Sequence, residues 1–235
     1  MTPGEAHDRV VTQAAIEAVL LAAEAQLDGG TWKPAASGFW RAVAGVKAQP
    51  SLADAFAARI ATIDRRAFLA GVLVAIPGRV GTAAMSLATL GGTALVAAGG
   101  TVDAPWNAVT FATGGAILVV TIHGLAHLAA GRLAGIRFTH WFIAGVTRPQ
   151  PGVKIDYETY LLASPRARAW MHAAGALASK AVPFLLLPVA IVAGLGRGMA
   201  LTLFTIGSVQ IITDMLWSVK ASDWKKFRRE LAFRG

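Results

Sequence analysis

Two histidines four residues apart are the clearest candidates for chemistry in this sequence. His123 and His127 lie in a long apolar stretch. Residues at positions i and i+4 of a helix lie on one face about one turn apart, so their two imidazoles can bind one metal ion. Asp214, in a later apolar stretch, supplies a carboxylate that we expect at the same depth. Two histidines and one carboxylate leave the fourth position of tetrahedral zinc open, which is typical of a catalytic site.

The ligands of this predicted zinc site are limited by composition. The chain has no cysteine, which excludes disulfides, thiolate nucleophiles and thiolate ligands. Any metal ion must therefore be held by histidine and carboxylate side chains. His140 and His172 are further candidates, either as additional ligands or as contacts to a substrate.

Lys180 offers an alternative to metal binding. It lies several residues inside a predicted membrane span, where an ammonium group must pair, reach the interface or lose its proton. An ion pair between Lys180 and Asp214 would compete directly with a metal ion. The two histidines would then be hydrogen-bonded core residues, and the chain would hold no metal.

The overall composition indicates a membrane protein. Hydrophobic residues make up 55% of the 235 residues and charged residues only 15%, against about a quarter charged in soluble domains. The net charge is nevertheless +9, from 22 Lys and Arg against 13 Asp and Glu. These basic residues separate apolar runs and do not cluster on one face, which argues against nucleic-acid binding. The expected partner is the lipid bilayer.

Four stretches are apolar and long enough to cross a bilayer, since each crossing needs about 20 residues. We predict spans over about residues 80–98, 106–130, 170–195 and 199–219. Lys and Arg are concentrated before the first span, in the loop after the second and behind the fourth. The positive-inside rule then places both termini and the long middle loop in the cytosol. The sequence predicts a multi-pass protein of the cell membrane.

Three regions follow from this pattern, and the predicted fold is mainly α. Residues 1–66 form a polar, helical cytosolic region, residues 67–219 form the membrane core, and residues 220–235 form a basic cytosolic tail. Aromatic and apolar residues alternate with basic ones in the tail, which predicts an amphipathic helix on the anionic inner leaflet.

The membrane core resembles the site-2 protease family of intramembrane zinc metalloproteases. The segment HGLAH at residues 123–127 is similar to the family's HExxH helix, and it continues through small residues to a Gly-Ile step at residues 135–136. The segment AGALAS at residues 174–179 is similar to the AGPLAN start of the family's next core helix. The resemblance covers about residues 106–219. It implies a zinc ion, a small membrane-associated β segment in the middle loop, and cleavage of membrane-spanning or membrane-proximal peptides.

The main departure from the family is Gly124, which stands where the family has the glutamate that acts as general base. Losing a general base costs about 10²–10⁴ in rate, although zinc alone lowers the pKa of bound water to about 7. Asp156 and Glu158 of the middle loop are candidates for a substitute base. Ser179, in place of the family's asparagine, and the adjacent Lys180 are candidate substrate contacts.

Two functions therefore stay open. One is a divergent zinc peptidase that cuts peptides with zinc-activated water. The other is a catalytically inactive pseudoprotease or membrane scaffold that binds transmembrane partners.

Overall fold

The computed structural model describes residues 12–33, 36–146, 148–216 and 222–233. Helices dominate this part of the chain, and a small sheet accompanies them. The elements in chain order are α1 (Gln13–Asp28), α2 (Phe39–Ala48), α3 (Pro50–Gly71), β1 (Val74–Pro77), α4 (Gly78–Ala98), α5 (Trp106–Leu133), β2 (Phe138–Gly145), β3 (Arg148–Ile155), α6 (Tyr157–Leu162), α7 (Pro165–Val192), α8 (Gly196–Leu216) and α9 (Asp223–Leu231).

The first three helices share one buried core. Phe56 and Ile60 of α3 recur at helical spacing and pack with side chains of α1 and α2. Pro50 begins α3 at a position where its fixed φ suits a helix and its missing N–H costs nothing. Leu161 of α6 belongs to the same core, so the middle loop rests on these helices.

Among the described residues, three helices are long and apolar enough to cross a membrane: α4, α5 and α7. They coincide with the first three predicted spans. Large apolar side chains on their surfaces, such as Leu87 and Leu185, are more than 60% exposed, which suits contact with lipid. The fourth predicted span coincides with α8 and is not confirmed as a span. Its last residues, 217–219, lie outside the described part of the chain.

The predicted β segment of the middle loop is present as the antiparallel pair of β2 and β3. A third strand, β1, lies before α4 and pairs with β2 on its other side, with Ile76 opposite Trp141. The sequence analysis did not predict β1. β1 leads into α4, and β2 follows α5. Pairing of the two strands therefore joins the start of α4 to the end of α5.

The indole of Trp141 fixes the sheet against the helices. It is 1% exposed, and its Nε1–H donates to Thr82 Oγ1 at 3.1 Å. Gly81 of α4 and Gly124 of α5 lie against the ring, and a Cβ atom at either position would overlap it. Two helical glycines therefore form the slot that the indole fills.

The described part of the predicted basic tail forms α9, which packs against α7. Ser222 begins the helix, since its side chain accepts the backbone N–H of Lys225. Near the other end, the buried carboxylate of Glu230 accepts from Lys47 Nζ at 2.6 Å and from Arg168 Nε at 2.8 Å. Through these contacts α9 joins the amino-terminal helices to α7.

Candidate metal centre

Two predicted ligands and one that was not predicted meet in a small triangle. His123 Nε2 and His127 Nε2 lie 3.2 Å apart, and Asp223 Oδ2 lies 3.3 Å and 3.2 Å from them, respectively. Ligand atoms bound tetrahedrally to zinc at 2.0–2.1 Å are about 3.3 Å apart. The three atoms therefore fit three corners of a zinc tetrahedron, with the fourth corner open.

The ring of His127 is oriented by a backbone carbonyl. His127 Nδ1 lies 2.7 Å from the carbonyl oxygen of Met171, and the ring is almost fully buried. Because a carbonyl only accepts hydrogen bonds, Nδ1 carries the proton and Nε2 presents its lone pair to the triangle. Metal-binding histidines commonly donate their other ring N–H in this way.

Ser179 orients the second histidine in the same manner. Its hydroxyl donates to the carbonyl of Ala176 at 3.3 Å, so its oxygen is free to accept from Nδ1–H of His123 at 3.2 Å. Nε2 of His123 then also presents a lone pair. Two nitrogen lone pairs and a carboxylate oxygen this close together repel one another. A metal cation between them would remove this repulsion, so the three residues fit a metal ion.

The carboxylate of Asp223 is held in its ionised form. Its Oδ1 accepts from the ammonium of Lys226 at 2.9 Å, and this positive charge favours the ionised carboxylate. Oδ2 is left for the triangle, so Asp223 supplies a candidate oxygen ligand.

The structure does not bring Asp214, the predicted third ligand, to the histidines. Asp214 Oδ2 lies 2.5 Å from Lys180 Nζ, which is the ion pair that the sequence offered as the alternative to metal binding. Because Asp223 takes the place beside His123 and His127, this ion pair and a metal ion do not compete. Both features can exist in the same molecule.

The sequence analysis missed Asp223 as a candidate ligand because its local sequence indicates only the start of a helix. Ser222 followed by an acidic residue marks the start of a helix. Nothing in that local pattern indicates that the acid contacts His127, 96 residues earlier. By contrast, Asp214 attracted attention because an acid inside an apolar stretch is costly and often functional.

The space beside Gly124, where the resemblance would place a glutamate, is filled by the ring of Trp141. A Cβ atom at residue 124 would lie 2.5 Å from two carbons of the Trp141 ring, so a glutamate there has no room. The substitute candidates are used elsewhere: Asp156 begins α6 by accepting the N–H of Glu158, and Arg137 pairs with both carboxylates at 3.3 and 3.4 Å. Neither candidate joins the described triangle.

The other two candidate histidines lie in different surroundings. His172 lines the cavity of about 170 Å³ beside the triangle, and its Nε2 lies 2.9 Å from the hydroxyl of Tyr160. His140 lies in β2, where its ring contacts Phe68. Neither belongs to the triangle, whereas His172 is placed to contact a molecule that enters the cavity.

The predicted substrate contacts line a neighbouring cavity. Ser179 and Lys180 face a polar space of about 320 Å³, and His123 forms part of the wall on the side of the triangle.

Comparison with known proteins found no match for this chain. No protein-family model, no curated protein and no solved structure matches it.

Proposed function

We propose that this chain is a membrane protein that binds zinc at His123, His127 and Asp223 and holds a membrane-embedded ligand beside the metal. The triangle of lone pairs and carboxylate oxygen carries the proposal, because its spacing suits tetrahedral zinc. Nitrogen and carboxylate ligands with one open position suit a metal that contacts a further molecule.

Within this proposal we favour binding without peptide cleavage. The HGLAH segment and its surroundings resemble the site-2 protease family, but the base of the usual mechanism is missing. Trp141 covers residue 124, and Asp156 and Glu158 are engaged with Arg137. The chain then acts as a pseudoprotease-like protein that uses its metal to hold a partner or ligand.

A zinc peptidase is the second candidate, favoured by the open fourth corner of the triangle. A water molecule on zinc there would face the cavity that His172 lines. Metal-dependent cleavage of single-span peptides in proteoliposomes, absent from His127→Ala, would favour this candidate over the binding protein.

We also propose that α8 crosses the membrane, which makes four spans. Lys47 of α2 contacts Glu230 of α9, so both helices lie on one side of the membrane. Crossings by α4, α5 and α7 alone would place them on opposite sides. A fourth crossing by α8 resolves this, and the distribution of Lys and Arg favours the cytosolic side.

Metal content of the purified protein in lipid nanodiscs tests the metal centre. We expect about one zinc ion per chain in the wild type and a loss of most of it in His127→Ala and Asp223→Ala. Asp214→Ala is the matched control, because it removes an acid that faces Lys180 and not the histidines. Equal metal content in all four proteins, or a loss confined to Asp214→Ala, would contradict the proposed centre.

A further inference from the structure

A row of residues that winds around α5 leads from the membrane interior to the proposed metal centre. Residues spaced by four along this helix are Phe111, Gly115, Val119, His123 and His127. At a rise of 1.5 Å per residue, this row is about 24 Å long. It changes from apolar residues at one end to the two histidine ligands at the other.

Three cavities follow this row and adjoin one another. The first is an apolar cavity of about 320 Å³ between α5, α7 and α8. It shares Val119, Val120 and Gln210 with the polar cavity that contains Lys180. The polar cavity in turn shares His123 and Pro151 with the cavity at the triangle. We call these three adjoining cavities the α5 groove, which extends from apolar surroundings to the triangle of His123, His127 and Asp223.

The shape and chemistry of the apolar cavity limit what can occupy it. A helix about 10 Å wide fills about 400 Å³ per turn, so a cavity of about 320 Å³ would hold only part of a helical turn. An extended peptide would bring an N–H and a C=O group per residue into a space whose walls offer few polar partners, such as Gln210 and Thr202. A hydrocarbon chain has no such groups and fits both limits.

We propose that the α5 groove binds a single-chain amphiphile, with its acyl chain in the apolar cavity and a carboxylate head group at the open corner of the metal. This inference rests on the proposed metal centre and names the class of ligand that it holds. The stretch from Phe111 to His123 is about 18 Å, which calls for a long chain. The ion pair of Lys180 and Asp214 lines the polar cavity where the chain meets the head group.

Cobalt in place of zinc makes the metal visible, since its absorption spectrum changes when a carboxylate binds. The full chain is studied in phosphatidylcholine and phosphatidylglycerol nanodiscs with dodecanoate, and with butyrate as the short-chain probe. We expect dodecanoate to change the spectrum at a concentration at least about 10-fold lower than butyrate does. A difference of two buried methylene groups is enough for this factor.

Two substitutions separate the groove from general partitioning into the bilayer. Ala116→Trp places an indole in the apolar cavity, whereas Thr113→Trp places one on an exposed position of the same helix that lines none of the three cavities. We expect Ala116→Trp to remove the advantage of dodecanoate while keeping cobalt binding and the response to butyrate. Thr113→Trp is expected to behave as wild type.

Photo-crosslinking with a dodecanoate that carries a diazirine near its chain end gives a second readout that does not depend on cobalt. Labelling is expected on segments of α5, α7 and α8 that line the apolar cavity, and it should fall in Ala116→Trp. Uniform labelling of lipid-facing helices, or equal responses of Ala116→Trp and Thr113→Trp, would overturn the acyl-chain site. Absence of cobalt binding in the wild type would instead contradict the metal centre, and the head-group contact with it.

Discussion

Ser179 is placed to orient His123 in the proposed metal centre, because its hydroxyl oxygen lies 3.2 Å from Nδ1 of that ring. Its hydroxyl donates to a backbone carbonyl and accepts from Nδ1–H, which leaves Nε2 for the metal. Losing such an orienting partner typically costs about 10- to 100-fold in metal affinity.

We therefore expect Ser179→Ala to lower zinc affinity by about 10- to 100-fold while the chain still folds. Competition with a chromophoric chelator measures the affinity in nanodiscs. Ser86→Ala, at an exposed position of α4, serves as the matched control. Unchanged zinc affinity in Ser179→Ala would show that the hydroxyl does not orient His123.

Gly124 is required by packing against Trp141. We expect Gly124→Ala to destabilise the chain by about 1–3 kcal/mol, the usual cost of forcing an extra methyl group into a filled space. Denaturant unfolding in detergent measures the change. Gly91→Ala is the control, because no atom lies within 4 Å of a Cβ built there. If both variants unfold alike, the slot around the indole is looser than its contacts indicate.

The same contact explains why the sequence did not predict what fills the space beside Gly124. The substitution of glycine for glutamate is visible in the sequence, but the ring that covers it comes from residue 141 on a strand. No local pattern links these two positions. The histidine pair, in contrast, was predictable because its spacing within one helix is a local property.

At the scale of elements, α9 connects two sites that lie two helical turns apart. Asp223 at its start contacts the histidines, and Glu230, seven residues later, pairs with Lys47 and Arg168. A separation of seven residues places both acids on one face of the helix. Docking of this face on α7 therefore positions a candidate metal ligand and places the charge of Glu230 beside two buried cations.

Removing the charge of Glu230 tests this coupling. We expect Glu230→Gln to destabilise the docked helix by about 3–5 kcal/mol, because it leaves buried cations without their counter-charge. Zinc affinity should fall with it, although Glu230 touches no ligand. Hydrogen exchange of α9 and zinc competition are the two measurements. Glu158→Gln, whose side chain is 41% exposed, is the control.

The pH dependence of this variant has a defined sign. Burial lowers the pKa of Lys47 to about 8, even with Glu230 beside it. Between about pH 8 and the ordinary lysine pKa of 10.5, the unfolded chain binds more protons than the folded one, so stability attributable to Lys47 rises with pH. Without Glu230 the pKa of Lys47 falls further, and Glu230→Gln should regain stability at a lower pH than wild type.

The long helices were predictable because apolar length and periodicity are local, whereas the β segment of the middle loop was expected from the family resemblance. Two elements were not interpreted correctly for the same physical reason. The four residues of β1 become a strand only through pairing with β2, more than 60 residues later in the chain. The acid of α9 becomes a ligand only through docking on α7, so residue 223 was passed over in favour of residue 214.

For the whole molecule, the proposed four spans place α2 and α9, which contact each other through Lys47 and Glu230, on the same side of the membrane. The natural absence of cysteine allows a direct measurement with single introduced cysteines. We expect an impermeant maleimide to label Asp103→Cys and Arg197→Cys in intact cells, and Ser51→Cys and Lys225→Cys only after lysis. All four positions are exposed.

The fourth span is tested by Arg197 and Lys225 together, because they lie at the start of α8 and after its end. Labelling of both Arg197→Cys and Lys225→Cys in intact cells would contradict the fourth span. Labelling of Ser51→Cys in intact cells would contradict the expected orientation.

The separation of His127 and Asp223 along the chain also sets the delay between their synthesis on the ribosome. A ribosome adds about 5–20 residues per second, so the acid is synthesised roughly 5–20 s after the histidine that it joins, 96 residues earlier. Throughout that interval the two imidazoles are already on their helix while their anionic partner does not yet exist. At the proposed metal centre, a metal ion would therefore meet all three ligands only in a chain that has been translated through α9.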